Sequence, residues 1–141
     1  MRHWIALCSV VAVACSTRAA PPFIDVRDVW ARPADSAATT AVYLVIVNHD
    51  TSTIALASES SSMAESVTLH ETMQMNGMVH MAALDAPHAI APGDSLMLKP
   101  GSKHLMVSTL TRRLVAGDSL PLVLTFSDGR VIRATAVTRA P

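Results

Sequence analysis

Between Phe23 and Val137 the chain is cut by turn signals at short intervals, and this punctuation limits the fold more than any other feature. Arg32-Pro33, Asn48-His49-Asp50, Asn76-Gly77, Pro92-Gly93-Asp94, Pro100-Gly101, Gly117-Asp118 and Asp128-Gly129 leave only short runs between them. Those runs are rich in β-branched residues and show no convincing helical period. Strands are expected over residues 23–31, 40–47, 54–60, 66–75, 78–84, 88–90, 95–98, 103–109, 120–126 and 131–137. Short strands roughly 8–12 residues apart predict an all-β domain, a sandwich or Greek-key barrel. The Asn76-Gly77 pair is a strong two-residue hairpin signal.

The 141 residues suffice for one domain with one buried core. Eleven basic residues balance eleven acidic ones, so no basic footprint supports nucleic-acid binding. Residues 1–14 read as a signal peptide: a short basic start, then an apolar run too short to cross a bilayer. Ala12-Val13-Ala14-Cys15 resembles a bacterial lipobox, with Ala12 where Leu is usual. Cys15 is therefore the candidate for lipidation and membrane anchoring, and residues 15–22 form the anchor and a short tether. Ordinary signal-peptidase cleavage after Ala14 is the alternative, and both readings export the domain spanning 23–141. Cys8 falls in the leader, so the exported domain has no cysteine. It can hold no disulfide framework, no thiol nucleophile and no cysteine-ligated blue-copper centre.

The chemistry is concentrated in residues 70–106, which hold six of the eight methionines and four of the six histidines. Thioether and imidazole donors together favour copper, Cu(I) above all, over hard cations. Strand parity sorts these residues. His104 and Met106 are two apart in one strand and share a face, with Leu105 on the other. A two-residue turn at Asn76-Gly77 would pair Met75 with Met78, Met73 with His80 and Thr72 with Met81. His70 and Met81 then become diagonal neighbours on one face. Met73, Met75, Met78 and His80 fall on the opposite face, as secondary metal candidates or an exposed surface for a partner. A turn one residue longer would reverse the assignment.

Other positions carry plainer expectations. Met63 and Met97 read as core gap fillers, His49 as a solvated turn residue, and His88 as exposed after Pro87. Catalytic patterns are missing: Ser60-Ser61-Ser62 lacks nucleophile-elbow glycines, no His-Glu-x-x-His occurs, and Glu71 faces away from His70. The expectation is a protein that is not an enzyme.

These residues resemble the periplasmic copper chaperone PCu(A)C family. His70 is followed by ten residues and then Met81, and twenty-two more residues precede His104-Leu105-Met106; the family's second gap is one residue shorter. Val29-Trp30-Ala31-Arg32, Ala41-Val42-Tyr43-Leu44, Leu69-His70-Glu71-Thr72, Leu98-Lys99-Pro100-Gly101 and the segment Leu120 to Phe126 also look like family segments. The resemblance implies a cupredoxin-like β-barrel binding Cu(I) through His70, Met81, His104 and Met106. It further implies a periplasmic protein delivering copper to the binuclear centre of cytochrome c oxidase, directly or through a Sco-type chaperone. The rival reading is a non-metal β-sandwich lipoprotein that uses the Met-rich hairpin as an interaction module.

Overall fold

A computed structural model describes residues 23–140. The expected signal peptide, the Cys15 anchor and the tether to Pro22 lie outside the described residues. Ten strands run in chain order: β1 Ile24–Ala31, β2 Thr40–Asn48, β3 Ile54–Ser60, β4 Ala64–Met75, β5 Met78–Ala83, β6 His88–Ile90, β7 Ser95–Leu98, β8 Lys103–Leu110, β9 Ser119–Phe126 and β10 Val131–Thr138. They join in the order β5-β4-β8-β2-β1-β10-β9-β3-β6, with β7 pairing β2 beside β8. The fold is all-β, as the turn spacing predicts, and the strand limits move by one or two residues at most.

Alternation explains why the sheet rolls up. In β2, Val42, Leu44 and Ile46 are buried; in β9, Leu120, Leu122, Leu124 and Phe126 are. These strands lie far apart in the ribbon, yet their side chains join one core cluster with Val67, Leu69, Leu105 and Val107 of β4 and β8. One apolar face wrapped on itself removes the most surface from water, and this burial is the main stabilising term. The corner lies at β1, where the pairing with β2 shifts between Arg27 and Trp30 and Asp28 takes a φ of 55°. That bulge aligns Trp30 with Tyr43 and lets the end of β1 pair in parallel with β10.

The ladder also corrects two expectations. Met97 is 50% exposed rather than core. Leu44 opposes Leu98 and Ile46 opposes Leu96, so parity turns Met97, opposite Val45, outward. His88 is half-buried rather than exposed, because β6 pairs with β3 and sets it opposite Leu56. Burial, with the charge of Lys103, lowers its pKa against the opposing pull of Asp85. Met63 packs against the core as expected, and exposed His49 stacks on Phe23 at 4.3 Å.

The β4–β5 hairpin closes through Asn76 and Gly77, with φ of 52° and 74°. Two consecutive left-handed residues are what a two-residue turn of this hand demands. A Cβ at Gly77 would meet nothing within 4 Å, so a substitution there is strained only by its backbone conformation. Gly77→Val is therefore expected to lower stability by about 1–2 kcal/mol, read as a lower denaturant midpoint with unchanged slope.

Candidate metal centre

Three strands build the site. Pairing of β4 with β8 sets His70 opposite His104 and Thr68 opposite Met106. Pairing of β4 with β5 sets Thr72 opposite Met81, with Met73 opposite His80 and Met75 opposite Met78. The register is the one a two-residue turn predicts. Parity then places His70, Met81, His104 and Met106 on one face, the outer side of the sheet, with Leu69 and Leu105 on the core side. Met73, Met75, Met78 and His80 lie on the other face of the hairpin and do not join this group.

A cavity of about 180 Å³ opens on the outer face, lined by Thr39, Thr40, Ala41, Met81, His104 and Met106. Ala41 stands opposite Met106 in the β2–β8 pairing, and its small side chain leaves the space above it free. His70 is not part of the lining but lies directly beside it, its ring 6.1 Å from that of His104. His104 is 6% exposed, whereas Met81 is 57% exposed. The donor set thus grades from a buried imidazole to an open thioether at the rim.

Hydrogen bonding prepares both imidazoles. His104 Nδ1 lies 3.2 Å from the Ser102 carbonyl oxygen. A carbonyl only accepts, so this contact places the proton on Nδ1 and leaves the Nε2 lone pair free. His70 Nε2 lies 2.9 Å from Thr68 Oγ1, while its Nδ1 is buried without a partner. Burial first, and the neighbouring His104 second, lower the pKa of His70 and favour its neutral, ligating form. In the tautomer whose Nε2–H donates to the Thr68 hydroxyl, the Nδ1 lone pair is free for a Lewis acid, and a buried polar atom left unpaired is otherwise costly.

Hard ligands are kept away. Glu71 points to the opposite face and sits 4.0 Å from Lys103 Nζ. Among the described residues no three His, Cys, Asp or Glu side chains come together as a metal group. Two larger clefts lie elsewhere, one beside Pro33 and Arg113 and one around Glu71 and Lys103, and neither is lined by methionine. The two imidazoles and two thioethers fit a soft monovalent ion such as Cu(I) and suit Mg, Ca or Mn poorly.

Sequence reasoning missed the supporting groups. Thr68 and Ser102 each lie two residues from the histidine they bond, whereas the Thr39-Thr40-Ala41 floor and Tyr43, whose ring is 6.4 Å from that of His104, reach the site only through strand pairing. Parity within β4 could have flagged Thr68. Nothing local announces that β2 pairs with β8.

Fold and donor set define a β-barrel domain with a sulfur–nitrogen site on its outer face. The chain belongs to the family described as "Putative lipoprotein LpqE-like", which matches residues 24–138. A relative from Leifsonia xyli subsp. xyli, named "Putative lipoprotein Lxx21020", is 34% identical over 106 residues, covering 75% of this chain and 63% of the relative. "Uncharacterized protein RP573" of Rickettsia prowazekii is 28% identical over 103 residues, covering 70% of this chain and 57% of its own length. The chain thus spans less than two thirds of either of these curated relatives.

Among solved structures, the copper-bound PCuAC domain from PmoF2 superposes with a TM-score of 0.67 at 17% identity, over 86% of this chain and 100% of that one. The solution structure of Cu(I)-bound DR1885 from Deinococcus radiodurans has a TM-score of 0.59 at 27% identity, over 81% of this chain and 78% of that one. The resemblance to the PCu(A)C family therefore holds at the level of fold, while the family to which the chain belongs carries a lipoprotein name.

Proposed function

We propose that this protein is an extracytoplasmic Cu(I) chaperone, held at the membrane through Cys15, that hands copper to an acceptor in cytochrome c oxidase assembly. The observation that carries the reading is the convergence of His70, Met81, His104 and Met106 on one face, with an unpartnered buried nitrogen on His70. The likeness to Cu(I)-bound DR1885 supports the choice of metal, and the lipoprotein name of the family supports the anchor.

Copper here is cargo. Thioethers bind Cu(I) without losing a proton and do not oxidise to disulfides, which suits an exported protein. Exposed Met81 gives an acceptor a first ligand to displace, after which the buried His104 follows. No acid–base pair accompanies the donors, so the role is transfer rather than catalysis.

X-ray absorption on the Cu(I)-loaded protein is expected to show a mixed sulfur–nitrogen shell; an oxygen-only shell would overturn the assignment. Copper transfer to a soluble oxidase copper domain, compared with transfer to a Sco-type protein, identifies the acceptor. Mass spectrometry of the mature N-terminus tests lipid on Cys15.

Binding should also depend on pH with a defined sign. Protons compete with copper for imidazole, so affinity falls as pH falls. His70 is held below the ordinary histidine value of 6.5. Its share of affinity is therefore full above that value and is lost only as pH drops past its lowered pKa. Each imidazole that protonates adds a loss of about tenfold per pH unit. Competition titrations across the acidic range check this, and a flat profile would exclude histidine ligation.

A further inference from the structure

β5 is the edge of the sheet, and the hairpin it forms with β4 projects past the body of the barrel. Pairing of β4 with β8 ends at Glu71–Lys103, Thr72 N still donates to the Ser102 carbonyl, and from Met73 onward the ladder partner is β5 alone. Exposed edge strands are normally guarded by charge, especially lysine, against pairing with other chains. This one is not: residues 72–82 contain no Asp, Glu, Lys or Arg. They carry instead Met73, Met75 and Met78 at 40%, 56% and 60% exposure, with exposed His80. Exposed apolar groups on an unguarded edge cost solubility, so their presence calls for a use.

Register gives that use a geometry. Met75 opposes Met78 and Met73 opposes His80, and all four share the face away from the His104 site. Directly paired Cβ atoms in such a ladder are about 5 Å apart, and neighbours along one face about 7 Å. Three flexible thioethers and one imidazole stand at the corners of that rectangle. Methionine has the reach and freedom to close over an ion at its centre. Glu71 shares this face but sits beside Lys103 Nζ at 4.0 Å, and three sulfurs to one nitrogen make the donor set softer than that of the first site.

We propose that Met73, Met75, Met78 and His80 form a second, weaker Cu(I) site that captures copper at the hairpin tip and feeds the first. His80 and Met81 are adjacent in β5 and point to opposite faces. An ion on the hairpin-tip cluster therefore needs only to pass around the free edge of β5 to reach Met81. The step is ligand exchange: copper stays Cu(I), each new Cu–S or Cu–N bond replaces one that breaks, and no electron moves. The site lies beyond the one assigned above, and its test is separate.

The test is Cu(I) titration of the full-length protein against a chromophoric chelator. The wild type should take up two equivalents, one tight and one weaker. M73L/M75L/M78L, which keeps the apolar bulk and removes the sulfur, should take up one tight equivalent and load more slowly. H104A/M106A should keep only the weaker equivalent, with a sulfur-dominated shell by X-ray absorption. The leucine changes lie on an exposed face, and M75L/M78L provides a milder second variant. A single equivalent in the wild type, or two in the leucine variants, overturns the second site. Tight binding that survives in H104A/M106A would instead count against the first.

Discussion

Replacing His104 and Met106 together by alanine is expected to lower Cu(I) affinity at the tight site by more than about a hundredfold, beyond the 10–100-fold usual for losing a supporting group around a metal. The double variant removes the buried imidazole whose proton position Ser102 fixes and the thioether beside it. His70 and Met81 would remain as a two-donor remnant on neighbouring strands. The fold should survive, because both side chains lie on the outer face and Leu105 between them keeps its place in the core. Stability should fall by about 1–2 kcal/mol, within the ordinary range for single sites. Chelator competition and a thermal melt on the same sample separate the two effects. Affinity unchanged in a folded variant would sink the site. Met106→Leu alone isolates the sulfur, since volume is kept and only the donor is lost.

The contrast between His104 and Met81 bears on release. On the proposed chaperone reading, the metal is held against water yet given up to a partner. A site buried on all sides would resist exchange; one exposed on all sides would leak. Here one imidazole is nearly inaccessible while Met81 stands open at the cavity rim. Met81→Ala should therefore weaken binding less than His104→Ala but slow transfer to an acceptor disproportionately, because the group an incoming ligand first replaces is gone.

Much of this was legible in the chain. His104 and Met106 share a face in any strand, and Asn76-Gly77 forced a turn whose register the ladder of β4 and β5 reproduces. The all-β class followed from turn spacing. What was not legible depends on pairing across long sequence distances. That β4 sits between β5 and β8, bringing His70 opposite His104, is set by burial of Leu69 against Leu105 and has no local signal. The same is true of the Thr39-Thr40-Ala41 floor, supplied by a strand more than sixty residues from His104. Met97 and His88 failed for a related reason. Hydrophobicity predicts what a residue prefers, while alternation along β7 and the placement of β6 decide where it goes.

The largest effect on stability should come from Asn48→Ala, at the far end of β2 from the cavity beside His104. Asn48 is fully buried. Its Nδ2 donates to the carbonyls of Ser52 at 2.9 Å, Ile90 at 2.9 Å and Ala91 at 3.1 Å, and its Oδ1 accepts from the Asp50 amide at 2.9 Å. Its own amide donates to the Asp94 carbonyl, and its carbonyl accepts from Gly93. One side chain thus ties the end of β2 to the turn that follows and to the segment between β6 and β7. Alanine leaves the buried Ile90 carbonyl and the part-buried Ser52 carbonyl, Ala91 carbonyl and Asp50 amide without this partner, at about 1–3 kcal/mol for each group that water does not reach. A total near 4 kcal/mol is a large share of the roughly 5–15 kcal/mol available to a domain of this size. Asn48→Asp should do no better, since a carboxylate facing those carbonyls cannot donate. The exposed Arg130–Asp128 pair nearby offers no comparable anchorage, because solvent screens it. Denaturant unfolding should show a much lower midpoint for Asn48→Ala. The copper affinity of the folded fraction should be unchanged, since Asn48 and Ala41 are seven residues apart along the strand, about 23 Å. Loss of affinity in step with stability would mean that β2 transmits strain from one end of the barrel to the other.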